Sequence, residues 1–323
     1  MEFFCPLLSG HELMTEVMEP ESKTRRDFLY QAGAAGHLLP SEAQTDKPRQ
    51  PSGAGQRILM CAPGYFGVDY IINPWMEHQI GQTDRPLAEK QWAELHRHLA
   101  QRVPVDLILP QPGLPDMVFT ANAGLAIGKT VVVSRFRYQE RRPEEEFFRD
   151  WFRTRGFILA PWPEDIFFEG AGDALLDRGA PIIWCGYGQR SDVEAVKHLE
   201  RIFDRESVGL RLIDPRFYHL DTCFCPLAGG WLLYFPGAFD EASHAVIARH
   251  VPKERRIAVG EEDALAFACN AVDLEAHVFL NDASETLQKQ LERAGFKPVT
   301  VPLSQFLKSG GAAKCLTLKL VEP

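Results

Sequence analysis

The sequence predicts an α/β fold in which one unit, two paired strands followed by a helix and a further strand, recurs five times and closes into a ring. Three observations predict it: short β-like runs with tight turns recur every 45 to 55 residues, an amphipathic helical stretch follows each pair, and the chain ends supply complementary parts of one unit. Such a ring is an α/β propeller. A doubly wound sheet is the alternative, but its mostly parallel strands fit the frequent hairpins poorly.

Four units follow one another along the chain. Their predicted hairpins span residues 117–135, 172–185, 222–235 and 270–281, and the first three turn at Gly128, Gly179 and Gly229. Apolar residues at helical spacing predict helices over 142–154, 192–203, 241–250 and 284–294. The predicted closing strands are 157–160, 210–213, 256–259 and 298–301.

The fifth unit is split between the two ends of the chain. Residues 315–321 supply one part, and the strand 58–61, the helix 88–101 and the strand 105–109 supply the other. Pairing of the two ends would leave few strand edges unprotected. We therefore predict one α/β propeller domain over residues 57–323. Residues 1–56 form a predicted flexible extension, because its last part is rich in Pro, Ser, Gly and Gln without periodicity.

Composition narrows the possible partners and compartments. The net charge of -9 disfavours a nucleic-acid partner, and no apolar run is long enough to span a membrane. The seven cysteines are scattered, which indicates a reducing compartment and hence the cytoplasm. The histidines are not clustered, so we expect no metal, and we expect no cofactor. Residues 24–29 resemble a twin-arginine export signal, but the apolar stretch after them is short, so export is the minority alternative. A homo-oligomer remains possible.

Polar residues that could carry chemistry recur at one phase of the repeat. Blades around an axis bring positions of equal phase together, so an acid, a base and a thiol far apart in sequence can converge. These residues are Asn122, Glu169, Asp173, His219, Asp221, Asn270, Asp273 and Cys315.

Cys315 and His219 are the candidate nucleophile and acid/base group. Small residues precede Cys315 and would let a ligand approach the backbone, although a buried thiol in a strand is the commoner situation. Asp221 shares a strand face with His219, and a carboxylate there would favour the charged imidazole and fix its orientation. A lone histidine is more often structural.

Several other positions have both a functional and an ordinary interpretation. Glu169 and Asp173 flank Gly-Ala-Gly, a special backbone segment or simply a turn with solvated acids. Phe119 could pack against a flat cation, although a core position is commoner. Arg141 and Arg190 suit bidentate recognition of a carboxylate, but surface arginines are the usual case.

Together these residues resemble the guanidine-modifying enzymes of the pentein superfamily, which include arginine deiminases, dimethylargininases, amidinotransferases and arginine dihydrolases. The resemblance covers nearly everything after residue 57. It rests on Asp116, Phe119 and Asn122, on Glu169-Gly-Ala-Gly-Asp173, on His219-Leu-Asp221-Thr222 and on the near-terminal Cys315. It implies a five-bladed propeller around a site for a small molecule, arginine or a derivative.

The resemblance also implies roles for individual residues. Cys315 would attack the guanidinium carbon to form a covalent thiouronium adduct. His219 would protonate the leaving amine and then activate water, oriented by Glu169. The implied substrate-binding residues are Asp173 or Asp221 at the cationic group, Arg141 and Arg190 at the α-carboxylate, and Asn73, Asp116, Phe119 and Asn122 along the substrate.

Asn122 is an informative departure within this resemblance. Deiminases and dimethylargininases have an aspartate there, whereas an amide can hold either a cationic guanidinium or a neutral ureido group. The asparagine therefore resembles the arginine dihydrolases, which release ornithine, carbon dioxide and ammonia. Hydrolysis to citrulline and amidino transfer are the alternatives. From a different class, the chain could be an inactive propeller used for binding.

Overall fold

The structure, a computed structural model, describes residues 56–321. The predicted extension over residues 1–56 and its twin-arginine-like segment therefore lie almost entirely outside the described residues. Within residues 56–321 no helix is both long and apolar enough to cross a membrane.

Over these residues the strands form five sheets of three strands each, as a five-bladed α/β propeller requires. In every sheet the first two strands are antiparallel and the last two are parallel. The sheet that joins the chain ends contains β15 (Leu318–Val321), β1 (Arg57–Cys61) and β2 (Val105–Ile108). The predicted fold class is thus confirmed, including pairing of the two ends.

The other four sheets follow in chain order. They are β3 (Gly124–Ile127), β4 (Thr130–Val133) and β5 (Ile158–Leu159); β6 (Ala174–Leu176), β7 (Ile182–Tyr187) and β8 (Glu206–Arg211); β9 (Phe224–Leu227), β10 (Trp231–Tyr234) and β11 (Arg256–Ala258); and β12 (Val272–Leu274), β13 (His277–Leu280) and β14 (Lys297–Thr300).

One helix joins the second and third strands of each sheet. These helices are α1 (Arg85–Ala100), α2 (Glu144–Thr154), α3 (Glu194–Phe203), α4 (Glu241–His250) and, in the last sheet, α6 (Glu285–Arg293), with the short α5 (Glu261–Leu265) and α7 (Ser304–Leu307) as additions. Side chains of Asp84, Asp240 and Ser284 accept backbone N–H groups at the starts of α1, α4 and α6. Such caps satisfy donors that a helix start leaves unpaired, and they fix where these helices begin.

Two features of the predicted strands are wrong. The strand predicted at residues 210–213 is β8, which begins four residues earlier and pairs with β7 from Glu206 to Arg211. Only Val208 and Leu210 of β8 are buried, because it is an edge strand with polar residues on its outer face. The predicted hairpins also begin too early, since their first residues form tight 3-10 turns such as Thr120–Ala123, Gly170–Gly172 and Leu220–Thr222.

Shared apolar clusters close the ring. One cluster joins the first sheet to the second through Leu59 and Val131, and another joins the last sheet to the first through Phe279 and Ile58. The second, third, fourth and fifth sheets are linked in the same way, by residues buried between neighbours. The 3-10 turns lie before the first strand of their sheets, and the polar side chains that they bear are buried.

Candidate active site

Two of the 3-10 turns approach each other closely at Gly172. A Cβ at Gly172 would lie 2.3 Å from Asn122 Nδ2 and 3.2 Å from His219 Nδ1. Real Cβ atoms do not approach other heavy atoms to 2.3 Å, so only glycine fits between these side chains. The Gly-Ala-Gly segment therefore allows residues from three successive repeats to meet.

His219 is anchored by a buried carboxylate. Its Nε2 lies 2.7 Å from Oε2 of Glu169, and the same oxygen accepts a hydrogen bond of 2.9 Å from Nη1 of Arg190. Burial alone would raise the pKa of Glu169, but the Arg190 charge and the hydrogen bond with His219 hold that pKa well below its usual value. Glu169 is therefore a permanent anion that can orient the imidazole of His219.

Arg190 is itself fixed on several sides. Its Nη2 donates to the carbonyl oxygen of Ile72 at 2.9 Å, and its guanidinium lies 4.7 Å and 4.6 Å from the ring centroids of Tyr138 and Tyr218. Contact with two aromatic rings favours a planar cation. Arg190 is 2% exposed, so the sequence-based alternative of a surface arginine is wrong.

Cys315 contacts an amide and a carboxylate. Asn270 Nδ2 lies 3.1 Å from the sulfur, while Asn270 Oδ1 accepts from the backbone N–H groups of Cys315 and Ala312. The sulfur is 3.5 Å from Oδ2 of Asp221. Burial, and then the Asp221 charge, raise the pKa of the Cys315 thiol well above its usual value, while burial raises the pKa of Asp221 to about 7. The free site thus disfavours two negative charges on this pair.

Asp173 and Asp221 occupy different surroundings, although the sequence left either one as a partner for the cationic group. Asp173 Oδ2 accepts from the Ser191 hydroxyl at 2.6 Å, and its Oδ1 accepts from the backbone N–H of Leu220 at 3.0 Å. Asp173 therefore joins two chain segments. Asp221 lies against the thiol, so the geometry favours Asp221 for the cationic group.

Arg141 and Asn122 form a second buried network. Arg141 makes a bidentate pair with Glu144 at 2.9 and 2.8 Å, and its Nη1 donates to Asn122 Oδ1 at 2.8 Å. Asn122 Nδ2 in turn donates to the carbonyl oxygen of Glu169 at 3.0 Å. The Asn122 side chain is consequently locked in one orientation between Arg141 and the chain segment that bears Glu169.

Asp116 lies beside this network with one oxygen unsatisfied. Its Oδ2 accepts from the Tyr70 hydroxyl at 2.9 Å, but its buried Oδ1 has no hydrogen-bond partner. Burial raises the pKa of Asp116, and the Arg141 charge opposes that rise. A buried acceptor without a partner is costly, which favours a ligand donor at this position.

Asn73 and Phe119 fix neighbouring chain segments. Asn73 Nδ2 donates to the Ser309 carbonyl oxygen at 3.0 Å and connects the loop after β1 to the segment before Cys315. Phe119 packs edge-on against Phe66 and Phe306, with centroids 5.8 and 6.4 Å apart. Phe119 is 5% exposed, so it occupies a core position, which is the commoner of the two roles expected from the sequence.

Sequence reasoning missed several members of these networks. Asn270 shared the phase of the candidate residues but was not assigned a role, and this phase was the signal that could have found it. Nothing in the sequence marked Tyr70, Tyr138, Glu144 or Ser191. Among residues 56–321 there is no cluster of three or more His, Cys, Asp or Glu side chains that could hold a metal ion.

Comparison with known proteins shows the family to which this chain belongs. The family model described as eukaryotic N,N dimethylarginine dimethylhydrolase matches residues 71–322. The chain belongs to this dimethylarginine dimethylhydrolase family. The resemblance to guanidine-modifying enzymes is therefore confirmed.

Relatives of two kinds are similar to this chain, arginine dihydrolases and a dimethylarginine dimethylaminohydrolase. Bifunctional arginine dihydrolase/ornithine cyclodeaminases AgrE of Nostoc sp. and ArgZ of Synechocystis sp. are 52% and 53% identical to this chain over 83% of its length. The chain spans 38% of the length of each of these two relatives. The N(G),N(G)-dimethylarginine dimethylaminohydrolase of Mycobacterium tuberculosis is 38% identical over 86% of this chain and 90% of its own.

Solved structures match over the same part of the chain. The N-terminal domain of ArgZ, an arginine dihydrolase, bound to substrate superposes with a TM-score of 0.82 at 52% identity, covering 83% of this chain and 99% of that domain. A dimethylarginine dimethylaminohydrolase adduct matches with a TM-score of 0.70 at 20% identity, covering 82% and 99%. The second match shows a shared fold.

Proposed function

We propose that this protein hydrolyses arginine at its guanidino carbon, twice in succession, as an arginine dihydrolase. One observation carries the proposal: the buried Cys315 sulfur lies 3.5 Å from the Asp221 carboxylate, in a fold that also holds a buried His219–Glu169 pair. A thiol and a carboxylate this close form a site that requires a cation before both can be ionised.

A guanidinium ion satisfies that requirement. Burial, and then the Asp221 charge, raise the pKa of Cys315. A positive charge that lies against Asp221 offsets the second of these effects and so favours the thiolate. The Asn270 amide N–H, 3.1 Å from the sulfur, further stabilises the anion. Substrate binding and nucleophile activation are thereby coupled, and a neutral molecule would activate the thiol less.

The reaction then follows from the donors and acceptors present. The Cys315 thiolate adds to the guanidinium carbon, and the C–N bond to a terminal nitrogen breaks as His219 gives that nitrogen a proton. Ammonia leaves and a thiouronium adduct remains. Water, losing a proton to His219, adds to the adduct carbon, and the C–S bond breaks to give a ureido group. A second round releases a second ammonia, and the resulting carbamic acid loses carbon dioxide to leave ornithine.

The amino-acid end of the substrate has its own candidate partners. Asp116 Oδ1 is a buried acceptor without a hydrogen bond, which suits an ammonium group. A guanidinium has five N–H donors, so Arg190 can bind a carboxylate while it keeps its contacts with Glu169 and Ile72. Arg141, whose outer edge is already paired with Glu144, is a weaker candidate for this role than Arg190.

Asn122 supports two rounds over one. Its amide is held in place by Arg141 and by the Glu169 carbonyl oxygen. Because an amide is neutral, it adds no negative charge at this position. A neutral ureido intermediate is therefore disfavoured less than it would be beside an aspartate at this position, although Asp221 still favours the cation. The arginine dihydrolase names of the relatives that are 52% and 53% identical agree with this choice.

Ammonia stoichiometry tests the proposal. The full chain incubated with arginine should release two ammonia and one ornithine per arginine consumed, and Cys315→Ser should release none. Accumulation of citrulline as the end product would contradict two rounds. Transfer of the amidino group to an added amine, without ammonia, would indicate an amidinotransferase.

A second candidate, hydrolysis of dimethylarginine, is favoured by the family model and by the Mycobacterium tuberculosis relative. It would release dimethylamine by the same first round. The values of kcat/KM for arginine and for N(G),N(G)-dimethylarginine separate the two. We expect arginine to be the better substrate, and a preference for dimethylarginine would reverse the order of the two candidates.

A further inference from the structure

A path of hydrogen bonds connects the backbone of Glu169 to the backbone beside His219. The Glu169 N–H donates to Ser191 Oγ at 3.0 Å, and the Ser191 hydroxyl donates to Asp173 Oδ2 at 2.6 Å. Asp173 Oδ1 accepts the Leu220 N–H at 3.0 Å, in the peptide bond that follows His219. This path is separate from the contact of 2.7 Å between His219 Nε2 and Glu169 Oε2. The two residues are therefore linked twice, once through their side chains and once through their backbones.

The Ser191 hydroxyl can serve this path in one direction only. Its oxygen accepts the Glu169 N–H, so its single hydrogen is left for Asp173. The distance of 2.6 Å is typical of a hydroxyl bonded to an ionised carboxylate. Both Ser191 and Asp173 are buried, so loss of the hydroxyl would take a partner from a buried N–H and from a buried carboxylate oxygen.

The residues on either side of Ser191 bind the same chain segment. Arg190 Nη1 donates to Glu169 Oε2 at 2.9 Å, and Asp192 Oδ2 accepts the Phe167 N–H at 2.8 Å. Three consecutive side chains thus hold the segment that bears the Glu169 carboxylate, and Ser191 is the middle one.

We propose that Ser191 is a positioning residue that holds Glu169 and His219 at the separation which the acid/base steps require. The proposal rests on the proposed function, in which His219 protonates the leaving amine and later activates water. The Ser191 hydroxyl is used by Glu169 and Asp173, so it acts on the reaction through them. A displacement of about 1 Å at a catalytic group can lower a rate about 100-fold.

S-methyl-L-thiocitrulline separates the two steps that use His219. The Cys315 thiolate adds to the amidine carbon of this analogue, the bond from that carbon to the methylthio group breaks, and methanethiolate leaves and takes a proton from solvent. This departure needs no acid from the protein. The adduct left on Cys315 is the one that arginine gives after loss of ammonia. Its hydrolysis still requires His219 to take a proton from water before the bond to the Cys315 sulfur breaks.

Two substitutions break the path at different points, and a buried serine supplies the control. Ser191→Ala removes the hydroxyl, and Asp173→Asn replaces one of the two acceptor oxygens with an NH2 group. Ser134→Ala is the matched control, because Ser134 is buried beside the same glycine-rich segment: a Cβ at Gly170 would lie 2.7 Å from its Oγ. Within residues 56–321 that hydroxyl has no hydrogen-bond partner to lose.

The readout is the mass of the intact protein after rapid quenching, which follows formation and decay of the Cys315 adduct. We expect adduct decay to slow by about 10- to 100-fold in Ser191→Ala and in Asp173→Asn. Adduct formation should keep the rate of the unmodified protein, because methanethiolate leaves without His219. The double variant should decay no more slowly than the slower single variant, since both changes break one path. Ser134→Ala should change neither rate.

The same rates give the results that would overturn the proposal. Unchanged adduct decay in Ser191→Ala would do so, and so would an equal slowing of formation and decay, which indicates general distortion of the site. If Ser191→Ala does not fold, Asp173→Asn decides in the same way.

The unmodified protein distinguishes this failure from a failure of the proposed function. If it forms no adduct, Cys315 is not a nucleophile and both proposals are wrong. If it forms an adduct that decays equally fast in every variant, the positioning role of Ser191 alone is wrong.

Discussion

Asn122 has an amide whose two ends have opposite requirements. Its Oδ1 accepts from Arg141 at 2.8 Å and its Nδ2 donates to the carbonyl oxygen of Glu169 at 3.0 Å. An aspartate would keep the first contact, but it would oppose a carboxylate oxygen to a carbonyl oxygen in the second. The amide is thus required by its surroundings as well as by the chemistry proposed for it.

Asn122→Asp should therefore stop the reaction after one round. The added negative charge favours the cationic guanidinium over the neutral ureido group, so we expect citrulline to accumulate and the ammonia yield to fall from two toward one per arginine. Citrulline supplied as substrate should be converted to ornithine by the unmodified protein and not by the variant. The loss of the bond to Glu169 should also cost about 1 to 3 kcal/mol of stability. A variant that still yields two ammonia would disprove this role of Asn122.

The loop between β1 and α1 is hydrogen-bonded to two segments that are distant from it in the chain. Asn73 Nδ2 donates to the Ser309 carbonyl oxygen at 3.0 Å, and Trp75 Nε1 donates to the Arg216 carbonyl oxygen at 2.7 Å. Gly310 lies where these contacts meet: a Cβ there would be 2.9 Å from Trp75 Cδ1 and 3.1 Å from Asn73 Oδ1. The backbone of Gly310 has φ +77, which glycine adopts without strain.

Gly310→Ala should displace this loop, and the chain contains a matched control. Gly113 has the same φ of +77, but a Cβ there would meet no atom within 4 Å. Gly113→Ala should cost only the backbone strain, about 1 kcal/mol. Gly310→Ala should cost about 1 to 3 kcal/mol more through overpacking, and it should raise KM for arginine because Asn73 must move. Thermal unfolding and steady-state kinetics check both effects, and equal behaviour of the two variants would show that the loop tolerates the clash.

For the molecule as a whole, the repeat was predictable from sequence because each unit combines a hairpin, a helix and a strand with distinct periodicities. The meeting of Asn122, Glu169 and His219 then followed from their common phase. So did the contact of Cys315 with Asp221 and Asn270. Glu144 could not be predicted in this way. It begins a run of three glutamates, 144–146, and only the packing of α2 decides that Glu144 is buried against Arg141 while Glu146 is exposed. The edge strand β8 was misplaced because solvent-facing polar residues interrupt its apolar pattern.

Closure of the ring depends on contacts between segments far apart in the chain, and Thr120 supplies one of them. Its hydroxyl lies 2.9 Å from the carbonyl oxygen of Leu59 in β1 and 3.1 Å from that of Leu316 before β15. The neighbouring Ala121 N–H donates to the Cys315 carbonyl oxygen at 3.1 Å. Thr120 is fully buried, so water does not replace its hydroxyl as the donor to these two carbonyl oxygens. One side chain thus binds both ends of the described chain next to the nucleophile.

Thr120→Val keeps the shape of this side chain and removes its hydroxyl. We expect a loss of about 1 to 3 kcal/mol in the free energy of unfolding, because buried carbonyl oxygens lose a donor, together with reduced activity because Cys315 loses a fixed neighbour. Thr154→Val is the control: the Thr154 hydroxyl bonds only within its own helix turn, to the Trp151 carbonyl oxygen, and its loss should change stability by less than about 0.5 kcal/mol. Urea unfolding of both variants measures the difference. If Thr120→Val is no less stable than Thr154→Val, the ring is held together by its apolar clusters and the Thr120 hydroxyl is dispensable.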